Sequence, residues 1–555
     1  MTISLDRLLE HVTYLSGFEK LSGSAGAHRA VSYMTDVLKK ENIPFEVLRF
    51  QEYLSDPVSS MVMTGKGEVI KSRPRSFSRN LPEGVRAPLV YDDNNLRKLL
   101  TPAQVEKRMA SFAGKIVLSH GFDERYAKRL EQAHALGWIQ IWDSPETEIH
   151  EDTVSSVWGT PDLDSSLMLL GIPVVCVDAA SGEKLIQYAA EPGAELFLST
   201  CLDTGVREVE VPVVTIPGES EDFVLVSGHY DTWYAGAMDN VAANAACLEI
   251  ARELSQREKP LRRGVRIAWW AGHSNGRYAG SAWYYDHYYL ELKKHCIAQI
   301  NSDLIGSQLA DEAAVITTGL EGRAFDEQQV RRVDGKAPIL YKRFGRGADQ
   351  SFWGAAIPYN LMTRYEVDPA KRTTTAPGGS PWWHTIEDTC EKIGTEVLLK
   401  EANLFCRNVE SFADLEELPV DFTGYFGQMR ERLQAVDKDS DPAFDFTELL
   451  QALDALQEAA ETGYAKAGDR KTAFLKLVAG NMNWLMQTYG SRYGQDLAYA
   501  YGMFPHLTAV KGIHRENTSE REFLFYQTEF IRQKNRFLDM VRMIEKHITH
   551  GEGKE

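Results

Sequence analysis

The chain has 555 residues, of which 43% are hydrophobic and 25% charged, and it carries a formal net charge of −18. That length exceeds what one hydrophobic core serves and points to two or three domains. The acidic balance argues against nucleic acid or an anionic membrane surface as a partner, and no stretch approaches the ~18 uninterrupted apolar residues of a membrane span.

Near the start, Asp6 and Glu10 fall early and no apolar run follows a basic segment, so no secretory leader is expected. Leu8, Leu9, Val12 and Leu15, then Ala30, Tyr33, Met34, Val37 and Leu38, recur at helical spacing and predict helices within residues 5–40. A strand, FEVLRF, follows at 45–50. From about residue 55 to 200, short apolar runs (APLVYD, GKIVLSHG, GWIQIWD, GIPVVCV) alternate with helical stretches, the texture of a β/α insert with its own small core. Beyond it, the strands FVLVSGHYD, GVRIAWWAGH and IAQINSDLIG alternate with the helical patterns NVAANAACLEIARELSQ and SAWYYDHYYLELKKH. Such alternation builds a mostly parallel α/β sheet, whose ligand sites collect at the carboxyl ends of strands. His229 and Asp231, His273, and Asp303 stand at those ends. Residues 370–380 read as a flexible loop before a Trp-Trp-His cluster. After about 415 the pattern turns to long amphipathic helices, among them 520–550, which predict a helical C-terminal domain. The six cysteines are scattered without a CxxC pair and read as reduced thiols, which gives a cytoplasmic location.

Four side chains in these segments suit a divalent metal: His229, Asp239 in GAMDN, Asp303 in NSD, and His384 in WWHTIEDT. Zinc takes nitrogen and oxygen ligands at about 2.0–2.2 Å, so two imidazoles and two carboxylates could surround one or two ions. Asp231 is placed to orient His229, as carboxylates behind metal ligands do. Taken singly, each has a plainer explanation: a His-x-Asp hydrogen-bonded pair, an Asp capping a helix, or Thr385 and Asp388 starting one. Their joint occurrence, in order and at strand ends, favours the metal reading.

The series HYDTW, GAMDN, INSDLIG and HTIEDT resembles the signature series of the M28 zinc peptidases. The wider layout is similar to the branch containing glutamate carboxypeptidase II and the transferrin receptor. The resemblance implies a zinc-exopeptidase (phosphorylase/hydrolase-like) domain over 1–55 and 205–412, a protease-associated insert over 56–204, and a helical dimerisation-like domain over 413–555. It implies that His229 and Asp303 hold one metal, that Asp239 bridges, that His384 holds the second, and that Asp231 stands behind His229. The chain departs from the family at WWAGHSNGRYAGS. Family members carry Glu-Glu there, a general base and a metal ligand. Gly276, Gly280 and Ser281 keep the frame, with one apparent extra residue, while His273 and Ser274 stand in the place of the glutamates.

Three readings follow. An altered hydrolase would use His273 as base or ligand, since imidazole serves either role. A metal enzyme could act on a non-peptide substrate. A non-catalytic binding or assembly protein could use the same fold, although the survival of His229, Asp231, Asp239, Asp303 and His384 speaks against it. The first defines the expectation: hydrolysis of an amide bond in a short peptide or N-acyl amino acid-like small molecule, aminopeptidase- or carboxypeptidase-like. It would use one or two divalent ions, zinc in the first place and manganese or iron as alternatives. Trp233, Tyr278, Trp382 and Trp383, with Arg277, Arg346 and Arg364, could wall the pocket or clamp a carboxylate. Asp349 is a further candidate near the substrate. Trp269 and Trp270 read as core. A homodimer is expected through the C-terminal helices.

Overall fold

The computed structural model describes residues 3–93, 102–121, 123–145, 147–319 and 321–550. The first two residues, and Phe122 and Glu146 within the insert, lie outside the described residues. Helices Leu5–Leu15 and Ala25–Lys40 bury Leu8, Val12 and Leu15, and Ala30, Met34 and Leu38, at the expected spacing. Ser4 and Ser24 cap them, accepting hydrogen bonds from the main-chain N–H of Arg7 and Ala27.

The strand expected at 45–50 is far longer, Phe45–Thr64. It pairs antiparallel with Glu195–Ile216 from Phe45 opposite Val214 to Thr64 opposite Leu196, with one register shift between Pro57 and Ser59. Both sequence boundaries of the insert, 55/56 and 204/205, fall inside this two-stranded ribbon, so the chain crosses them as continuous strand. On the body side, Glu195–Ile216 runs antiparallel to Gly264–Trp270. Phe223–His229 lies between Gly264–Trp270 and Cys296–Asn301, parallel to both. Tyr359–Glu366 is parallel to Cys296–Asn301, Glu312–Thr317 is antiparallel to Tyr359–Glu366, and Ile339–Arg343 forms the edge. The middle strands are buried along their whole length, as expected when both faces of a sheet are covered. Trp269 and Trp270 are fully buried core residues.

The insert continues the same sheet through Leu81–Tyr91, which is antiparallel to Glu195–Ile216. Ile116–His120, Gly137–Ile141 and Val174–Val177 add in parallel. Two apolar clusters lie within residues 62–198, one holding Leu118, Ile139 and Leu198 and the other Tyr126, Leu130 and Trp138. The loop 370–380, expected to be flexible, is tied to this insert: Thr374 Oγ1 and the Thr375 main-chain N–H donate to the Asp143 carboxylate at 2.8 and 2.9 Å.

The C-terminal region is helical, with Phe422–Lys438, Thr447–Lys466 and Glu520–His550. Its buried residues, including Tyr425, Phe426, Met429, Leu453 and Phe537, belong to the same apolar cluster as the central sheet. No described helix is long and apolar enough to cross a membrane.

Candidate metal centre

The sheet order explains how residues far apart in sequence meet. His229 is the last residue of the middle strand, in register with Trp270 of its neighbour. His273 follows Trp270 by one short turn, and Asp303 follows Asn301, which pairs with Ser227 on the other side. Three parallel strands thus deliver His229, His273 and Asp303 to one spot at their carboxyl ends. Asp239 arrives on a tight turn, Ala237–Val241, that leads into helix Ala242–Ser255, and the Asp239–Asn240 peptide in it is cis. HTIEDT begins no helix. Instead the Asp388 carboxylate accepts from the main-chain N–H groups of Met238 and Asp239 at 2.8 and 3.0 Å and fixes that turn.

Asp239 lies between two imidazoles. Its Oδ1 is 3.0 Å from His229 Nε2, and its Oδ2 is 2.9 Å from His384 Nε2. Asp303 Oδ1 is 3.4 Å from His229 Nε2. The remaining ring nitrogens set the tautomers. His229 Nδ1 donates to the Asp231 carbonyl at 2.9 Å and His384 Nδ1 donates to the Glu151 carbonyl at 3.0 Å, so each ring, in the neutral form that a metal requires, turns its Nε2 lone pair toward Asp239. Lone pairs and carboxylate oxygens, all acceptors, therefore converge. His229 Nε2, Asp239 Oδ1 and Asp303 Oδ1 are buried without a well-formed hydrogen bond among the described residues. Such an arrangement calls for a cation. Ligands of a tetrahedral zinc at about 2.0–2.1 Å lie roughly 3.3 Å apart, close to the spacings here. Burial favours the neutral form of His229, but the Asp239 and Asp303 carboxylates outweigh it and hold the ring well above the usual imidazole range, so a cation bound here would take the place of a proton on Nε2. Burial also favours neutral Asp239, yet His229 and His384 draw it well below the carboxylate range.

Asp231 does more than stand behind His229. Its carboxylate is 3.8 Å from His229 Nδ1, farther than its own carbonyl. The carboxylate accepts instead from the main-chain N–H groups of His273 and Ser274, at 3.3 and 2.9 Å, and shapes the turn that presents both. Burial raises its pKa against the charges of His229 and His273. The His273 ring stacks on His229 with centroids 3.5 Å apart, and its Nδ1 is 2.7 Å from Asp349 Oδ2. Asp349 is fully buried; it also accepts from Ser281 Oγ at 2.9 Å and contacts His273 rather than the cavity. Ser274 Oγ is buried without a hydrogen-bond partner among the described residues.

A cavity of about 390 Å³ opens over these groups, lined by Asp239, His273, Asp303 and His384 and walled by Tyr278 and Trp383. Tyr278 stacks on Trp158 at 4.0 Å and meets the His273 ring edge-to-face at 4.6 Å. Trp383 stacks on His384 at 4.0 Å. Trp233 also lines the cavity, whereas Trp382 lies under the Lys392 ammonium, 4.8 Å from its ring centre. The three arginines of the expected clamp all line the cavity but are engaged elsewhere: Arg277 is ion-paired with Glu124 of the insert, whose carboxyl burial pushes up to about 7. Arg364 is bound to Glu366, and Arg346 donates to the carbonyls of Gln350 and Asp496. Two further residues, His150 and Asp152, come from the insert beside His384. No strand end or periodicity marks them in the sequence; the cluster HED at 150–152 is the signal that was there to find.

A sequence model of peptidase family M28 matches residues 212–409, the span that carries this centre. Aminopeptidase YwaD of Bacillus subtilis is 22% identical over 419 residues, 72% of this chain and 82% of that protein. An aminopeptidase of Pseudomonas aeruginosa is 32% identical over 314 residues, 54% of this chain and 56% of its own length. Among solved structures, a zinc aminopeptidase from Bacillus subtilis superposes with a TM-score of 0.56 at 23% identity, covering 76% of this chain and 98% of the other. The architecture is therefore the α/β fold of these aminopeptidases.

Proposed function

We propose that the protein is a divalent-metal-dependent hydrolase of the M28 type that cleaves an amide bond in a small peptide or N-acyl amino acid. The observation that carries this reading is Asp239, held between His229 Nε2 and His384 Nε2 with Asp303 beside it, at separations of 2.9 to 3.4 Å. The family match over the same residues and the aminopeptidase names of the relatives support it. The solved zinc enzyme favours zinc, with manganese or iron as alternatives. His229, Asp239 and Asp303 would hold one ion, and His384 with the second Asp239 oxygen would help hold another. A bound cation polarises the scissile carbonyl and lowers the pKa of water enough for attack near neutral pH.

His273 occupies the place of the family's glutamate base. Its Nδ1–H is held by Asp349, which leaves the Nε2 lone pair to take a proton from water in the cavity. Asp231 keeps that ring in place through the main-chain N–H groups of His273 and Ser274. A second role for His273 has its own support: its ring can offer a ligand atom together with His229 and Asp303, all within 4.8 Å of one another. Elemental analysis of His273→Gln decides between them, since a base can be lost with full metal content and a ligand cannot.

The deciding experiment for the whole reading measures metal per chain and hydrolysis of a panel of dipeptides and N-acyl amino acids, before and after chelation. We expect bound metal, activity lost with the metal, and recovery on adding zinc. Failure to bind zinc at all would overturn the reading in favour of a binding or assembly protein.

The insert corresponds to a protease-associated domain. Leu524, Phe525 and Ile531 are exposed on the helix Glu520–His550, a surface that supports a homodimer; a monomer mass of 62.5 kDa by light scattering would count against it. The six unbridged cysteines suit the reducing cytoplasm.

A further inference from the structure

The insert reaches the metal centre at residues 150–153, which form neither helix nor regular strand. This segment is clasped to His384 by two reciprocal hydrogen bonds. His384 Nδ1 donates to the Glu151 carbonyl at 3.0 Å, and the Glu151 main-chain N–H donates to the His384 carbonyl at 2.9 Å. The clasp assembles a second group of metal-binding side chains, His150, Asp152 and His384, all buried, with ligand atoms within 4.8 Å of one another.

The three side chains differ in what they can offer. Arg75, 2% exposed, donates to His150 Nδ1 at 3.0 Å and to the His150 carbonyl at 2.7 Å. A guanidinium only donates, so the proton of the neutral His150 ring sits on Nε2. His150 therefore enters the group as a donor and not as a ligand. Asp152 accepts at Oδ1 from the Thr153 main-chain N–H at 2.7 Å and lines the cavity. His384 offers Nε2, which already faces Asp239 Oδ2 at 2.9 Å. One imidazole and two carboxylates, those of His384, Asp239 and Asp152, thus line one cavity. On the body side, the hydroxyl of Ser274, a weak ligand for zinc, stands in place of the family's second glutamate.

We infer that Asp152, brought in by the insert, is the third protein ligand of the cation held by His384 Nε2 and Asp239 Oδ2, with His150 as the hydrogen-bond donor beside it. The inference rests on the metallohydrolase reading and adds a ligand to it from a different part of the chain. Two ligands at about 2.0–2.2 Å from one ion lie at most about 4.4 Å apart, and the Asp152 and His384 ligand atoms lie within 4.8 Å of one another, so the pair has to close by no more than about 0.4 Å. The ion would then join the insert to the body of the molecule.

The test is zinc titration of the full chain, stripped by chelation, by calorimetry and elemental analysis. The wild type should take up two equivalents. Asp152→Asn, which keeps the shape of the side chain, should retain one and weaken the second by more than about 100-fold, beyond what loss of a supporting group costs. His384→Ala should lose the same equivalent, and His229→Ala the other, with circular dichroism showing each variant folded. Two equivalents of unchanged affinity in Asp152→Asn would overturn the inference and leave the hydrolase reading standing, as would a wild type that binds one ion and still hydrolyses its substrate. A wild type that binds none would remove both.

Discussion

At the scale of single residues, the centre combines groups that bind charge with groups that aim them. Asp349 and His273 make a carboxylate–imidazole pair at 2.7 Å, so the two should fail differently. His273→Ala should lower kcat by about 10²–10⁴-fold, the usual worth of a positioned base, with an unchanged circular dichroism spectrum; near-normal turnover would sink its role. Asp349→Asn should lower kcat by about 10–100-fold with little change in KM. The residues holding charge were legible in the sequence, because His229, Asp303 and Asp239 each sit at the end of an apolar strand or the start of a helix. The residues doing the aiming were harder to read. Asp388 looked like a cap for its own segment but serves the Met238–Asp239 turn, 149 positions away for Asp239. Asp152 and His150 showed in the sequence only as the cluster HED, because their partner, His384, lies in another region of the chain. Local pattern says nothing of such pairings.

At the scale of elements, tight crossings and buried carboxyls set the tolerances. Helix Ala279–His295 begins against the end of strand Gly264–Trp270, and a Cβ at Gly280 would stand 2.5 Å from the Ala271 carbonyl oxygen. Gly280→Ala should therefore push the helix off the turn that carries His273. We expect a loss of about 1–3 kcal/mol in denaturant unfolding together with lost activity; a stable, fully active variant would contradict this packing. Helix Arg323–Val333 buries Asp326, whose Oδ2 accepts from the Tyr359 hydroxyl at 2.8 Å. Burial raises its pKa to about 8. Above about pH 4 the unfolded chain has released this proton while the fold keeps it, so stability falls as pH rises toward about 8 and levels off beyond. Asp326→Asn keeps an acceptor and cannot ionise, so its Tm should fall less than the wild type's between about pH 5 and about pH 9. Equal falls would show that the site does not titrate. Element types were readable from periodicity; the 20-residue length of Phe45–Thr64 was not, because its alternation breaks where it leaves the body's core for the insert.

At the scale of the whole molecule, the C-terminal helices are structural members of the body. Gly480 lies where a Cβ would meet the Ala356 carbonyl oxygen at 2.3 Å, and Asn483 donates to the carbonyls of Ile357 and Pro358 at 3.2 and 3.3 Å. A chain ending near residue 414 should therefore fail to give a soluble, cooperatively unfolding body, as tested by expression and thermal melting. The ribbon sets a further constraint, on the order of events during synthesis. Phe45 pairs with Val214, so at translation rates of about 5–20 residues per second the first strand waits roughly 8–35 s for its partner. The insert is made entirely within that interval, and its private clusters draw only on residues inside it, up to Leu196 and Leu198 on the second strand. It is thus the first part of the nascent chain able to close a core. Arrested ribosome complexes exposing about 200 residues should already protect the insert from protease while leaving helices Leu5–Leu15 and Ala25–Lys40 open to cutting. The ribbon then closes from the Thr64–Leu196 end toward Phe45–Val214, delivering the start of the chain to the body last.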